Sequence, residues 1–308
     1  MALTLPEAAK QSQNPIQSAV IETFARTGNI LMVMPFASIQ GNALKYNRED
    51  TLPGIGFRGV NEAYTESTGI INPLTEPLFI AGGDLDVDNF IIGTMGGNQR
   101  ATQEMMKVKA LSLAVEKQII KGDSASDPRG FDGLQVRLTG NQLMYAGTTD
   151  GGDALSLAKL DELIDKVDSP THLIMSKTMR RRLTQAARNY TVGGFITWEL
   201  DAFGRKLAMY HDLPILIVDY DNTGAQILAF DEVGYTGSTA TASSIYCVSF
   251  GDQMLSGIQS GTMQVRDLGE LQTKPAKRTR VEWNIGMAAW HGRAAARLGG
   301  ITNAAVTA

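Results

Sequence analysis

A single cysteine, Cys247, stands in the whole chain, so no intrachain disulfide can form and the fold must rest on burial. It sits in the run Ile245-Tyr-Cys-Val-Ser-Phe250, where a small buried hydrophobe is expected rather than a nucleophile. Histidine is almost as scarce. His172, His211 and His291 lie far apart, with no His-x-x-x-His or Cys-x-x-Cys spacing, which removes the usual zinc frameworks. Long hydrophobic runs are missing too. Stretches such as Ile30-Leu-Met-Val-Met-Pro-Phe36 fall far short of the eighteen or so residues a bilayer-crossing helix needs, so no membrane segment is expected.

Neither charge sign dominates. Lys and Arg number 28 against 32 Asp and Glu, a formal net charge of −4, so no general cationic field exists to neutralise phosphates and drive avid DNA binding by the free chain. Met1-Ala-Leu-Thr-Leu-Pro6 has neither the basic start nor the apolar core of a secretory signal, which predicts a reducing cytoplasm and makes the sequon Asn189-Tyr-Thr191 a chance match. No Walker-type phosphate loop and no Gly-x-Gly-x-x-Gly after a strand occurs, so no nucleotide cofactor is expected.

With 43% hydrophobic and 19% charged residues, the chain belongs among ordinary globular proteins and is long enough for one large or two medium domains. Residues 1 to 28 carry Pro6, Pro15 and the polar run Lys10-Gln-Ser-Gln-Asn14, with one short helix expected from Pro15 to Arg26 and closed by Gly28. From 45 to 80, Pro53, Gly54, Gly56, Gly59, Gly69, Pro73 and Pro77 punctuate a segment that also holds apolar Ile70-Ile71 and Leu78-Phe79-Ile80. A structureless loop of that length is uncommon inside a compact domain, so an extended hairpin serving as a binding arm is expected.

Between Asn98 and Lys121 the apolar residues Ala101, Met105, Val108, Leu111, Val115 and Ile119 recur every three or four positions, predicting one amphipathic helix with Gly122 as a left-handed cap. Leu157, Leu160, Ile164 and Val167 predict a second helix; after a strand at His172-Leu-Ile-Met175, Ser176 caps a third running from Lys177 to Arg188. Strands are expected at Pro214–Asp219, Gln226–Phe230, Ile245–Phe250, Thr262–Arg266 and Thr279–Ile285, with a polar turn from Thr236 to Ser244. The fold class is α+β.

Candidate chemistry is thin. Gly122-Asp-Ser124 matches part of an esterase block but follows a helix, and Ser156-Leu-Ala-Lys159 lacks its companion motifs. Asp84, Asp86 and Asp88 have the odd spacing of a calcium loop without its glycine and glutamate, and read instead as one face of a strand whose other face carries Leu85, Val87 and Phe90. Arg180-Arg-Arg182, with Lys177 and Arg188, gives one helix a basic side that is read as a solvated face. No convergent catalytic set emerges, so contact rather than chemistry is the expected business of the chain, and an arm that cannot bury its apolar residues locally must place them on a neighbour.

Two stretches carry a family resemblance. Val60 to Ile80, leading into Gly82-Gly-Asp-Leu-Asp-Val-Asp88, resembles the extended-loop return strand of major capsid proteins of tailed bacteriophages with the HK97-like fold, and Arg280 to Ile301 is similar to the closing strands of their peripheral domain. Phe131-Asp-Gly-Leu134 adds weaker support. The resemblance implies an N-terminal arm over 1–45, an extended β-hairpin loop with its return over 46–93, a long spine helix and part of the peripheral domain over 94–149, an axial domain over 150–250, and peripheral-domain strands with the C-terminus over 251–308.

It further implies a structural protein, not an enzyme, that self-assembles as homo-pentamers and homo-hexamers into an icosahedral virion head around double-stranded DNA, in the bacterial host cytoplasm. A separate scaffolding protein, a portal, a decoration protein and non-specific contact with packaged DNA come with that reading; cofactors, metals and membranes do not. Lys45 is the only lysine near the loop and no isopeptide-forming set is evident, so non-covalent stabilisation is expected. Arg48, Glu49, Asp50, Arg58, Glu62 and Glu66 are the expected polar contacts between subunits, with Ile70, Ile71, Leu78 and Phe79 supplying apolar burial. The alternatives are an encapsulin-like nanocompartment shell and, from another class, a serine hydrolase using Ser124 or Ser156.

Overall fold

The computed structural model describes residues 28–95, 98–189, 196–200 and 206–307. The helix expected from Pro15 to Arg26 lies outside them. The described chain opens with α1 (Asn29–Val33) and β1 (Phe36–Ser38), then runs out as β2 (Ala43–Thr51), back as β3 (Ile70–Pro77), and on along β4 (Phe79–Asp88). The short helix α2 (Asn89–Met95) precedes the long α3 (Asn98–Lys121). Next come α4 (Leu134–Arg137), β5 (Leu143–Tyr145), α5 (Leu157–Asp165), β6 (His172–Met175) and α6 (Lys177–Ala187). Strands complete the chain: β7 (Ile196–Leu200), β8 (Lys206–Tyr210), β9 (Leu213–Ile217), β10 (Glu232–Val233), β11 (Ala240–Val248), β12 (Leu255–Gln259), β13 (Gln264–Glu270), β14 (Ala276–Ala289) and β15 (Ala295–Ile301).

Among the described residues, an eight-stranded sheet has the order β5-β15-β11-β6-β9-β8-β7, with β10 on β11, and its central strands are buried on both faces. Strand alternation sorts its side chains into two cores. Leu173 and Met175 of β6, Ile215 of β9 and Ile245 and Cys247 of β11 face one core, where Leu160 and Leu163 of α5 and Met179 and Leu183 of α6 meet them. The intervening Ile174, Leu216, Tyr246 and Val248 face the other, which holds Val108, Val115, Ile119 and Ile120 of α3. Such a sheet needs near-continuous apolar strands, and Ile245-Tyr-Cys-Val248 supplies one.

A second sheet of five strands, order β1-β12-β14-β13 with β4 also on β14, shares that second core. Val281, Trp283, Ile285 and Met287 of β14 point inward, while Arg278, Arg280, Glu282 and Asn284 point out. β4 lies antiparallel to β14 from Phe79↔Ile285 to Asp88↔Ala276. The three aspartates of β4 do take its outward side, but Phe90 does not join Leu85 and Val87: it begins α2 and is exposed, because Asp88 accepts the Phe90 N–H and turns the strand into a helix.

α3 has the bounds its periodicity predicts, and its 24 residues span about 36 Å. Its first turns depart from expectation. Ala101 is exposed and Met105 is 55% exposed, because the sheet beneath presents polar groups there: Arg100 donates to Thr279 Oγ1 at 2.7 Å and pairs with Asp267 at 2.8 Å. Gly122 ends the helix without entering the left-handed region. Crowding requires the glycine instead, since a Cβ there would stand 2.3 Å from the Phe131 carbonyl and 2.5 Å from that of Gln118.

Two further expectations are corrected. Gln226–Phe230 is not a strand; Gly224 (φ +84°) folds the chain back so that Asp221 bonds Ala225 and Ile227 bonds Asp219, which still buries Ile227 and Leu228. The turn expected over Thr236–Ser244 ends early, at Thr239, because Asp150 accepts from the Thr239 N–H and hydroxyl and β11 starts at Ala240.

Candidate functional site

β2 and β3 pair only with each other, from Ala43↔Pro77 to Thr51↔Ile70 with a register shift after Glu49, and form a ribbon outside both sheets. Residues 52–69 join its far end without regular structure and are exposed throughout. Local bonds shape this tip: Gly59 N donates to Glu62 Oε2 at 2.8 Å, Ser67 Oγ to the Gly54 carbonyl at 2.7 Å, and the Arg58 guanidinium stands 5.1 Å from the Tyr64 ring centre. An isolated two-stranded ribbon is marginal in water; this one is held to the body along its inner half, while its outer end and tip are exposed.

The expected contact residues fall into three groups. Glu49, Arg58, Glu62, Glu66, Ile70 and Ile71 are exposed on the ribbon or tip, with Arg58 and Glu62 also bonded to each other's neighbourhood. Arg48 is half-buried about midway along the ribbon, opposite Asn72, and Asp50 lies at the register shift. Leu78 and Phe79 turn toward the body, Phe79 stacking 6.3 Å from Phe131. Sequence reasoning missed the most exposed apolar residues, Ile55 at 94%, Val60 at 91% and Phe57, fully out. Their isolation between glycines was the available signal.

At the root, Glu76 and Arg137 form a two-pronged pair at 2.6 and 2.7 Å, and Tyr46 donates to the Ala289 carbonyl at 2.9 Å while stacking on Trp290. Burial, then the neighbouring Glu76 carboxylate, push the Tyr46 phenol up to about 12. On the outer face of the five-stranded sheet, Arg280 grips Asp84 and Arg278 grips Asp86, each through two bonds of 2.6 and 2.8 Å. The bonds to Arg280 lower the Asp84 carboxyl, and those to Arg278 and Lys274 hold Asp86 far below the usual carboxylate range. Asp84 and Asp86 are therefore spent on cations of this chain and Asp88 on the Phe90 N–H, which closes the calcium-loop reading.

Other candidate chemistry is dispersed. Among the described residues no three of His, Cys, Asp and Glu group as a metal site. His172 on β6 bonds Thr171, His211 faces Asp161 at 3.4 Å and His291 faces Asp168 at 3.6 Å, on three separate segments. Lys159 pairs with Glu162 at 2.7 Å. Within the basic run, Lys177 pairs with Asp219 and Arg182 bonds Asn303, so part of it is engaged inside the chain. No described helix is long and apolar enough to cross a membrane.

The ribbon, the long helix packed in the core shared by both larger sheets and the eight-stranded sheet covered by α5 and α6 together match the HK97-like capsid fold. The chain resembles the SrpI encapsulin of Synechococcus elongatus PCC 7942 (TM-score 0.63, 15% identity, 91% of this chain and 89% of that one). It is also similar to a structure from Microbacterium phage Oxtober96 (TM-score 0.62, 12% identity, 89% and 90%) and to the capsid of the native GTA particle (TM-score 0.60, 16% identity, 90% and 91%). No family model and no curated protein matches the sequence. The neighbours are shell-forming proteins, not enzymes.

Proposed function

We propose that this chain is the major capsid protein of a tailed bacteriophage, assembling as pentamers and hexamers into an icosahedral head around double-stranded DNA. The ribbon with its exposed apolar tip is the observation that carries this reading: among the described residues it joins neither of the two larger sheets and carries Ile55, Phe57 and Val60 into solvent. Burying them on a second copy gives a head-to-tail contact, which closes into rings and shells by repetition. Arg48, Glu49, Asp50, Arg58, Glu62, Glu66, Ile70 and Ile71 supply the polar and apolar contacts of that interface, with Leu78 and Phe79 at its inner margin. The proposed domain division is arm 1–45, loop 46–93, spine helix and peripheral part 94–149, axial domain 150–250 and peripheral strands 251–308; β4 within the loop segment pairs instead with β14 of the five-stranded sheet, and β15 within the last segment joins the eight-stranded sheet, so these two strands cross the proposed bounds. A separate scaffolding protein, a portal, a decoration protein and weak contact with packaged DNA complete the virion.

The likeness to the SrpI encapsulin favours a second reading, a nanocompartment shell around a protein cargo. Particles purified from the native source decide between them. Nuclease-protected double-stranded DNA inside supports the phage head; a single enriched protein without DNA supports the compartment.

A further inference from the structure

We infer that Glu76 and Arg137, together with Tyr46, form a positioning clamp that sets the angle at which the ribbon leaves the body, and through that angle the curvature of the shell. The inference rests on the shell-forming reading above.

The ribbon pivots where its strands meet the body, at the bond from Leu78 N to the Asn42 carbonyl. Glu76 lies just beyond that point, opposite Leu44 in the register. Arg137 comes from α4, and its remaining Nε donates to the Asp132 carbonyl at 2.6 Å, which ties the guanidinium to the loop below α3. Both side chains are mostly buried, at 19% and 13% exposure, so the pair is held in one planar geometry rather than swinging in water. Tyr46, on the paired strand, makes the second attachment through Ala289 and Trp290 at the end of β14.

Apolar packing at this joint is incomplete, although Phe79 rests on Phe131 and Tyr46 on Trp290. A cavity of about 290 Å³ lies under the root, bounded by Leu74, Leu138, Thr139 and Gln142 among others. On this proposal the directional polar contacts beside the pocket, Glu76–Arg137 and Tyr46–Ala289, set the tilt that the incomplete packing leaves open. β2 alone is nine residues, about 30 Å long, so a tilt of about 10° at the root displaces its far end by about 5 Å, enough to shift a contact by more than one strand residue.

The test uses the full chain as wild type, Glu76→Gln, Arg137→Gln, the milder Tyr46→Phe, and the swap Glu76→Arg with Arg137→Glu. Hydrogen exchange is read on unassembled subunits, and particle diameter by electron microscopy. The expected result is exchange about tenfold faster across 43–51 and 70–77 in the single variants, with β11 unchanged, and a shifted or broadened diameter that the swap brings back toward wild type. Wild-type exchange in the ribbon overturns the clamp, and faster exchange with an unchanged diameter overturns its link to curvature. If a Glu76 or Arg137 variant fails to fold, Tyr46→Phe, which removes one hydroxyl, decides by the same readings. Absence of particles from the wild type itself sinks the shell reading instead, and the exchange data then still judge the clamp.

Discussion

Cys247 lies on β11 with its side chain wholly inside the core shared with α5 and α6, and burial pushes its thiol up to about 12. The native thiol is thus expected to resist alkylation at pH 8 and to react fully in denaturant; rapid labelling of the folded chain would contradict that packing. Glu116 is the other instructive residue. It sits on α3, 3% exposed, and accepts the Ile30 N–H at 3.1 Å at the start of α1. Burial raises its carboxyl from 4.5 to about 7, opposed by bonds from Ile30 and Asn29, while the nearby Lys117 and Lys121 are engaged by Asp221 and Asp231. A folded-state value above the unfolded one means the folded chain holds its proton longer. The contribution is complete below about pH 4.5 and is lost as pH rises through about 7. Glu116→Gln should therefore gain stability over wild type by about 2 kcal/mol more at pH 8 than at pH 5, read from denaturation midpoints of unassembled subunits. Equal differences at the two pH values would rule this out. The cysteine was legible as a buried hydrophobe in its apolar run; Glu116 was not, because a charged residue on a helix reads as solvent-facing until the strap of α1 is laid across it.

The long helix was readable to the residue because its periodicity is strong and its ends are marked, but the cause of its ending was not. Gly122 adjoins the Phe131 and Gln118 carbonyls, and sequence alone does not reveal that a loop ten residues later returns to press on it. Gly122→Ala is expected to cost several kcal/mol in a denaturant titration, more than the loss of about 1 kcal/mol or less that a simple left-handed cap would give. A near-neutral effect would count against the crowding account. Strand expectations failed where tertiary context overrode an apolar run. Gln226–Phe230 buries its apolar side chains from turns, since Gly224 and the Asp221 side chain, which accepts from Thr223 and Ala225, close a loop there. The arm was recognised as an excursion from its prolines and glycines, yet its most exposed residues were passed over in favour of charged ones. Unassembled subunits should be cut by trypsin at Arg58, which is exposed on the tip, and assembled particles should resist; equal cutting of both forms would place the tip outside any interface.

At the scale of the whole molecule, the described residues form two apolar cores on opposite faces of one sheet and a projecting ribbon with no core of its own. That asymmetry was partly visible from the order of the segments, because a glycine- and proline-rich excursion ahead of a strong amphipathic helix has no place in a closed single-domain fold. Not every strand neighbour was visible: β13 and β14 form a local hairpin, but β14 also pairs with β4, far earlier in the chain, across a gap that no local pattern encodes. The measurement that bears most directly on the account is electron microscopy of the purified chain, concentrated at near-neutral pH and moderate salt, with its sedimentation profile. Closed polyhedra, tubes or capsomer rings are predicted; a uniformly monomeric species of 33.2 kDa would contradict the proposed shell-forming function.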